Sequence, residues 1–555
     1  MKKKFGKVTL DYTFYKGKDL YTDGEIEDTL LQIVKENKQD SILYESNEWP
    51  ILYHLSNIRE NLLDWYPFED TADVLEIGSG CGAITGLLSR KAHSVVCIEL
   101  SEKRSMINAY KNKDCENVTI MLGNFQDIQL EQKFDYVTLI GVWEYAGLYV
   151  SGTNPYEEML QKVKQFLKAD GKIIVAIENK MGMKYFNGAR EDHTGKFYGS
   201  INDYVDDKNI RTFSKPEIIN ILKRVGLDKY CFYYPMPDYK IPDSIYSEPM
   251  VPKPGNIRYY GQEYSMSRIY NFYDATAFDQ VCADGIFSYF ANSFLFVCGE
   301  KEEKCIYAKY SRERKSEFRI RTVILEHKGK MFVEKEALSE DARSHILQMK
   351  TKEEKWKNSG IPIRYVSGQI ENDAYVVPYI EGLSLDEYLY EWRNNTDEFI
   401  RRIKEILGKY LTPKDSVMVP FKITDEFKKI FGDIAPKNAK SLVVTNIDIL
   451  FSNLKLTDNK EVYNYDYEWI FDFEIPYDYV LWRVLNQLYS KYMAYLKPKI
   501  SLNDYFNRLE IVMQNIPVYE NMERNFAEYV FGIDRKEEYT KRYKKNVLSQ
   551  TINFP

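Results

Sequence analysis

Two groups of residues in this chain have side-chain types and spacings that suit chemistry. The first group lies in DVLEIGSGCGAITG, where Gly78, Gly80 and Gly82 follow a short apolar run. Glycines let the backbone turn tightly and approach a ligand closely. Glu99 follows about 20 residues later at the end of a second apolar run, where an acid can bind a ribose diol. The pattern predicts a strand, turn and helix that bind a nucleoside-bearing cofactor, and it leaves open which one.

The second group lies in VVTNIDILFSNLKL and VYNYDYEW. Asp448 and Asn453 have the spacing of the D-x-x-x-x-N in a kinase catalytic loop, and Asp466 follows at the end of a predicted strand. In that chemistry one carboxylate accepts a hydroxyl proton, while an Asn and a second Asp hold Mg²⁺ against the phosphates. The spacing therefore predicts Asp448 as a catalytic residue, with Asn453 and Asp466 as metal ligands.

Length and composition limit the possible classes. A chain of 555 residues exceeds one ordinary core, so two or three domains are expected. The net charge of -7 gives no sign of a nucleic-acid binder. Seven cysteines without CxxC pairs argue against a disulfide framework and a zinc site, and favour a reducing cytoplasm. No apolar run is long enough to cross a bilayer, so we expect a cytoplasmic protein that could associate peripherally with a membrane assembly.

The first half alternates between strand and helix patterns, which predicts a Rossmann-like α/β fold with a parallel sheet. Ligands of such sheets bind at the carboxyl ends of the strands, so the tails of the predicted strands should line the site. The compact EIGSGCG form, preceded by Glu76, resembles motif I of class I S-adenosylmethionine (SAM) methyltransferases. The resemblance implies that an acid after the third strand meets the adenine amine, which points to Asp127 with Asn124 nearby. The predicted SAM-binding residues are Glu76, Gly78, Ser79, Gly80, Gly82, Glu99, Asn124, Asp127, Gly141 and Trp143.

Five segments extend this resemblance to methyltransferases of bacterial surface-polysaccharide gene clusters. They are EIGSGCGAIT, IGVWEYAG, AIENKMGMKYFNGAREDHTG, TFSKPEI and YYPMPDYKIPD. The long polar insert after AIEN carries His193, which we place beside the methyl group of the cofactor. If the acceptor is a sugar hydroxyl, His193 is the first candidate for the base and Glu144 the second. If the acceptor is a phosphate, His193 would orient or neutralise it.

The second half changes to antiparallel strand patterns followed by helices. This α+β order, with Lys335 on the third strand, resembles the bilobal kinase-like fold of sugar and aminoglycoside kinases. The resemblance implies bound ATP and Mg²⁺, with Lys335, Glu353 or Glu354 and the hinge around Tyr379 at the nucleotide. No glycine-rich loop is present, and Arg312, Arg314 and Lys315 occupy the corresponding turn.

The predicted organisation has four parts. Residues 1–70 form a cap, 71–250 a SAM-dependent methyltransferase domain, 251–290 a linker and 291–555 a kinase-like domain, with an N-lobe at about 291–376 and a C-lobe at about 382–555. This order resembles the bifunctional kinase and methyltransferase that terminates O-antigen chains, which implies a glycan or glycolipid-linked saccharide acceptor. Two alternatives remain: a methyltransferase with a silent pseudokinase or glycan-binding half, and a nonenzymatic glycan-assembly scaffold.

Overall fold

The structure is a computed structural model that describes residues 1–555 except 20, 47, 206–208, 258–267, 301–304, 533–546 and 551–555. A single sheet of 15 strands runs through both halves of the chain. Its strands, numbered β1 to β15 along the chain, are Lys2–Phe5, Val8–Asp11, Asp73–Ile77, Ser94–Glu99, Val118–Leu122, Phe134–Ile140, Leu167–Glu178, Tyr230–Met236, Ser244–Ser247, Ser293–Cys298, Cys305–Tyr310, Ile320–His327, Lys330–Ala337, Gln369–Glu371 and Ala374–Pro378. The spatial order is β1-β2-β5-β4-β3-β6-β7-β10-β8-β9-β11-β12-β13-β15-β14.

The first half of the sheet confirms the predicted Rossmann-like α/β domain. Strands β2, β5, β4, β3, β6 and β7 pair in parallel, as their apolar runs separated by helices require. The α-helices of this half are Ile26–Lys35, Gln39–Glu45, Trp49–Leu55, Thr85–Lys91, Glu102–Lys111, Ala146–Tyr149, Pro155–Lys164, Met183–Phe186, Lys215–Arg224, Asp274–Ala283 and Phe287–Phe290. A capping box formed by Ser214 and Glu217 begins the helix Lys215–Arg224.

The strand β10 corrects the predicted domain boundaries. It pairs antiparallel with both β7 and β8, and all six of its side chains are buried. The prediction that this segment opens the second domain is therefore wrong, because it lies inside the first domain's sheet. Most of the predicted linker is also part of this core: Phe278 and Phe287 are buried against it. Residues 258–267 of that linker lie outside the described part.

The predicted cap also needs correction at its first residues. Strands β1 and β2 form a hairpin, and β2 pairs in parallel with β5, so these strands extend the sheet. Only the following segment, with the helices Ile26–Lys35 and Trp49–Leu55, covers the carboxyl ends of the parallel strands.

The second half begins with five antiparallel strands. Strand β11 pairs with β9 of the first half, so backbone hydrogen bonds join the two halves into one sheet. The α-helices of the second half are Arg343–Trp356, Leu385–Leu389, Thr396–Ile406, Asp425–Phe431, Tyr477–Lys491, Met493–Leu496, Leu502–Arg508 and Ile516–Phe531. Short strands outside the main sheet are Arg268–Tyr270, Arg364–Tyr365, Leu383–Ser384, Val419–Pro420, Lys440–Leu442, Thr445–Asn446, Leu454–Leu456, Val462–Asn464, Ile470–Phe471, Ile475–Pro476 and Val547–Gln550.

Hydrophobic packing largely follows the same division. One large cluster of buried side chains lies within the second half, from Phe318 to Val530, and a second lies within the first half. A third begins in the first half and continues into β11 and β12 through Ala308, Tyr310 and Val323. Within the described ranges, no helix combines the length and apolar character that crossing a membrane requires.

Candidate cofactor and active sites

A cavity of about 460 Å³ opens at the carboxyl ends of the central parallel strands. This is the position that the strand order predicts for a ligand. Its walls include Tyr21, Asp23, Trp49, Tyr53, His54, Glu76, Gly78, Ser79, Gly80, Glu99, Arg104, Asn124, Phe125, Gly141, Glu144, Tyr145, Asp192, His193, Tyr239 and Lys240. The glycine turn, the ends of β4, β5 and β6, and the insert after β7 therefore meet at one place.

The glycine turn needs residues without side chains. Gly78 has a φ of 70°, and a Cβ there would lie 2.5 Å from Cγ2 of Val142. Gly80 has a φ of 53°, and its backbone N–H donates a hydrogen bond of 2.8 Å to Oε2 of Glu99. The turn is therefore held against the end of β4 by the acid that the sequence singled out.

Glu99 is buried at the cavity wall. Its Oε1 accepts a hydrogen bond of 3.0 Å from the backbone N–H of Ser101, which begins the helix Glu102–Lys111. Burial raises the pKa of Glu99, while the nearby Arg104 opposes that shift. The arrangement presents a fixed carboxylate at the point where a ribose diol would lie.

Glu76 and Gly82 support the turn from behind. Oε2 of Glu76 accepts a hydrogen bond of 2.6 Å from Thr85, and burial raises the pKa of Glu76 to about 7. A Cβ on Gly82 would lie 2.4 Å from Oδ1 of Asn108. Gly82 does not border the cavity, so its predicted contact with the cofactor is wrong, and close packing explains the glycine.

Two other predicted cofactor residues lie elsewhere. Asp127 is directed towards Lys16, with 2.6 Å between Oδ2 and Nζ, and does not border the cavity. Trp143 is fully buried, packs against Phe213 and donates from Nε1 to the backbone oxygen of Tyr156. Trp143 is therefore a core residue. Asn124, by contrast, borders the cavity as expected.

The N-terminal segment supplies residues that the sequence predictions missed. The guanidinium of Arg104 pairs with Asp23 and Glu27 and lies 4.4 Å from the ring centre of Tyr21. This network fixes the segment over the cavity. His54 also borders the cavity and lies 3.7 Å from Asp23. No motif marks these residues, because their position depends on how the segment folds back over the sheet.

Glu144, Glu178 and His193 meet at the opposite side of the cavity. Nδ1 of His193 lies 3.2 Å from the hydroxyl of Tyr145, and Nε2 lies 3.4 Å from Oε2 of Glu178. The other oxygen of Glu178 accepts from Lys240, which also pairs with Asp192 at 2.7 Å. Glu178, Tyr145 and Lys240 were not predicted as site residues, although all three lie in the motifs quoted above.

Each charged group of this cluster shifts the pKa of its neighbours. Burial, reinforced by Glu178, raises the pKa of Glu144 to about 8. Although burial opposes it, Lys240 and His193 lower the pKa of Glu178 to about 2. Burial also disfavours the imidazolium of His193, but Glu178 and Glu144 outweigh it and raise the pKa of His193 to about 9. His193 is therefore a cation at pH 7, which fits the predicted orienting role and does not fit a general base at that pH.

Residues 75–175 match a family model described as a methyltransferase domain. The part of the chain that carries the glycine turn is therefore similar to a methyltransferase domain. A ribosomal RNA small subunit methyltransferase A of Streptococcus pneumoniae (strain JJA) is 31% identical over 77 residues, which cover 14% of this chain and 27% of that protein. The chain thus spans about a quarter of the length of the curated relatives it matches.

Solved structures of methyltransferases are also similar to parts of the chain. One is a Haemonchus contortus phosphoethanolamine N-methyltransferase 1 with phosphoethanolamine and S-adenosylhomocysteine, at 19% identity, covering 40% of this chain and 46% of that one, with a TM-score of 0.27. Another is a SAM-dependent methyltransferase of Thiobacillus denitrificans with S-adenosylhomocysteine, at 17% identity, covering 31% and 69%, with a TM-score of 0.23.

A second cavity, of about 800 Å³, lies between the antiparallel strands and the helices of the second half, and Tyr246 and Lys253 of the first half also border it. The structure brings four predicted residues together there. Nζ of Lys335 lies 2.6 Å from Oδ1 of Asp466, and Nδ2 of Asn453 donates a hydrogen bond of 2.9 Å to Oδ2 of Asp448. Tyr379 borders the same cavity.

The two predicted acids of this second cavity, Asp448 and Asp466, already face a cation. The guanidinium of Arg483 lies 3.3 Å from Oδ1 of Asp448. Burial raises the pKa of Asp448, while Arg483 opposes that shift. Arg314, from the charged turn that replaces a glycine-rich loop, borders the cavity and pairs with Glu468.

Neither of the two predicted partners of Lys335, Glu353 or Glu354, faces this lysine: Glu354 is exposed and lies 3.8 Å from Lys350. Glu353 does not border the cavity: its carboxylate accepts hydrogen bonds from Tyr375 at 2.7 Å and from the backbone N–H of Gly368 at 3.0 Å. Lys335 faces Asp466 and, at 4.0 Å, Glu468. The helix Arg343–Trp356 turns Glu353 towards β14 and β15 and away from the lysine.

Proposed function

We propose that the first half is a SAM-dependent methyltransferase. The observation that carries this proposal is the hydrogen bond from Gly80 to Glu99 at the mouth of the cavity, because it joins a turn that admits a ligand to an acid that can bind a ribose. The match of residues 75–175 to a methyltransferase domain supports SAM as the nucleoside-bearing cofactor.

The methyl acceptor would bind at the cluster of Glu144, Glu178 and His193. Methyl transfer requires an acceptor atom in line with the sulfonium carbon and little covalent help, so positioning is the main task of the protein. A cationic His193 beside the hydroxyl of Tyr145 supports an oxygen acceptor, either a phosphate or a hydroxyl.

Calorimetry with SAM tests the first proposal. A Gly80→Arg substitution would place a long side chain at the cavity wall, and we expect loss of SAM binding. Gly329→Arg is the matched control, because Gly329 also has a positive φ (75°), a Cβ there would meet no atom within 4 Å, and the residue lies in the exposed turn between β12 and β13. Unchanged SAM affinity in Gly80→Arg would refute the proposed cofactor site.

We also propose that the second half transfers phosphate from ATP with Mg²⁺. The specific observation in favour is the convergence of Lys335, Asp448, Asn453 and Asp466 at one cavity from segments far apart in the sequence. Lysine can hold nucleotide phosphates, Asn453 and Asp466 can hold the metal, and Asp448 can accept a hydroxyl proton. Metal binding requires Asp466 to exchange its contact with Lys335 for the cation.

Thermal stability in the presence of ATP and Mg²⁺ tests this second function. We expect wild-type protein to be stabilised and Asp466→Asn to lose that stabilisation. Asp472→Asn is the control, because Asp472 lies close in sequence and pairs with Lys355 on the exposed surface. If neither the wild type nor the control responds to ATP, the second half is a pseudokinase or a binding module.

The proposed acceptor is a bacterial surface glycan or its glycolipid-linked precursor, met on the cytoplasmic side by a protein that associates peripherally with the membrane assembly. Its support is the resemblance of the five sequence segments to methyltransferases of surface-polysaccharide clusters. In this proposal the second half phosphorylates a terminal sugar, and the first half methylates that phosphate or a sugar oxygen. Mass spectrometry of the glycan from a strain lacking the gene tests it, since loss of a methyl group and loss of a phosphate have different masses.

A further inference from the structure

The cluster of Glu144, Glu178 and His193 contains buried oxygen and nitrogen atoms that lack ordinary hydrogen bonds. Both carboxylate oxygens of Glu144 are buried and have no hydrogen-bond partner among the described residues. Oε2 of Glu178 and Nε2 of His193 are buried as well and face each other at 3.4 Å, with no shorter hydrogen bond to either atom among the described residues. Buried polar atoms are normally hydrogen-bonded, and an orphaned group costs about 1–3 kcal/mol. The unpartnered oxygens of Glu144 beside this pair indicate that a ligand belongs between the three side chains.

The three side chains are close enough to share one ion. One ligand atom from each lies within 4.8 Å of the other two. A cation with ligands at about 2.1 Å separates neighbouring ligand atoms by roughly 3–4 Å, so a small inward movement of the side chains would complete the site. We propose that Glu144, Glu178 and His193 bind a divalent transition-metal cation of the Mn²⁺, Fe²⁺, Co²⁺ or Zn²⁺ class.

Neighbouring residues orient the donors in the way that metal sites require. Nδ1 of His193 lies 3.2 Å from the hydroxyl of Tyr145, so Nε2, on the other side of the ring, is directed towards Glu178. Lys240 holds Oε1 of Glu178, so that Oε2 faces His193. Tyr145 and Lys240 are thus positioning residues for the proposed ligands.

The donor set also fits the charge and chemistry of this class of ion. Two carboxylates and one neutral imidazole balance a charge of +2, and imidazole with carboxylate is a common combination for these metals. The charge of Lys240 is shared with Asp192, which also faces Lys184 at 2.8 Å, so the surrounding cations are themselves compensated.

The position of the cation gives it a role in the proposed reaction. Glu144 and His193 both border the cofactor cavity, so the metal would lie at its wall on the side where the acceptor is proposed to bind. A divalent cation can bind and orient a hydroxyl or phosphate oxygen. This role rests on the proposed methyltransferase function, whereas the metal site itself does not.

Cobalt titration of the full chain, freed of metal with a chelator, tests the site. We expect one equivalent of Co²⁺ to bind and to give visible d–d absorption bands, and Zn²⁺ to displace it. His193→Gln and Glu144→Gln should each weaken binding at least 10-fold. His93→Gln, which removes an exposed histidine outside the cavity, is the control and should bind Co²⁺ as the wild type does.

Two measurements keep the result decisive. Thermal melting identifies any variant that fails to fold. In that case Tyr145→Phe, which removes the hydroxyl beside Nδ1 of His193 and keeps all three proposed ligands, decides by a smaller loss of Co²⁺ affinity. Absence of Co²⁺ binding by the wild type, or equal binding by wild type and the folded His193 variants, would overturn the proposal. SAM calorimetry on the same samples separates this failure from failure of the methyltransferase function.

Discussion

Lys335 and Asp466 form a buried ion pair, with 2.6 Å between Nζ and Oδ1. The lysine comes from β13 and the aspartate from the loop after Val462–Asn464, so the pair joins the antiparallel strands to the helical part across the second cavity. Glu468, two residues further on, adds a second carboxylate and also accepts from Arg314 and from His345 at 3.1 Å. Two carboxylates of this loop, those of Asp466 and Glu468, therefore compensate the charge of Lys335.

Matched substitutions at Glu468 and Glu353 should have different effects. Glu468→Gln removes the charge that faces Lys335 and Arg314, so we expect the affinity for ATP with Mg²⁺ to fall at least 10-fold in calorimetry. In Glu353→Gln the amide oxygen can still accept from Tyr375 and Gly368. The substitution removes the acceptor for Ser367 and the charge that pairs with Lys357 at 2.5 Å, so it should lower the thermal midpoint without changing that affinity. Equal nucleotide affinities in the two variants would contradict this division of roles.

Glu99→Gln should weaken SAM binding by about 10- to 100-fold, because hydrogen bonds to a charged group contribute about 1.5–3 kcal/mol. The amide can still accept from Gly80, but it cannot also accept from Ser101 with its second terminal atom, which is now a donor. Calorimetry measures the change. Glu116→Gln serves as the control, since Glu116 lies on the surface and pairs with Lys7. A wild-type affinity in Glu99→Gln would mean that the carboxylate does not contact the cofactor.

Local sequence signals identified the parts of the methyltransferase site that depend on one strand and its turn. Gly78 and Gly80 were predictable because a positive φ and a close approach select glycine, and Glu99 because it ends the next strand. Asp127 and Trp143 were wrongly predicted to contact the cofactor. The position of a residue just after a strand places it near the cofactor site but does not determine the direction of its side chain. Local packing directs Asp127 towards Lys16 and Trp143 into the core.

Long-range pairing accounts for the remaining differences. The run SFLFVC is apolar after its first residue, Ser293, and a buried strand of this kind has the same appearance in either half. Its insertion between β7 and β8 depends on partners more than 50 residues away, as the register of Leu295 with Tyr233 illustrates. Asp448 and Asn453 are close in sequence, and the prediction that their side chains meet is confirmed. The orientation of Glu353 was not predictable in this way, because it depends on which face of its helix meets β14 and β15.

The place of β10 predicts how fragments of the chain will behave. A fragment of residues 1–250 lacks β10, which leaves unpaired edges on β7 and β8 and removes six buried side chains from the core. We expect it to aggregate or to lack cooperative unfolding in circular dichroism. A fragment of residues 1–299 retains β10 and should unfold cooperatively and bind SAM. Cooperative unfolding of the shorter fragment with SAM binding would show that β10 is dispensable.

Glu76 should make the stability of the methyltransferase domain depend on pH. Its pKa is about 7 in the folded state, against 4.5 ordinarily, because burial disfavours the charged form. The protonated carboxyl therefore stabilises the folded state below about pH 4.5, and this contribution is lost as pH rises towards 7. In Glu76→Gln the amide does not titrate, and its oxygen can still accept from Thr85.

Relative to wild type, the free energy of unfolding of Glu76→Gln should consequently rise by about 3 kcal/mol between pH 5 and pH 8, since one pKa unit corresponds to about 1.4 kcal/mol. Urea unfolding of both proteins at the two pH values, followed by tryptophan fluorescence, measures the difference. Glu116→Gln, at an exposed position, should keep a constant difference from wild type over the same range. A constant difference for Glu76→Gln as well would mean that Glu76 stays ionised in the folded protein, and that the glycine turn rests on a charged carboxylate.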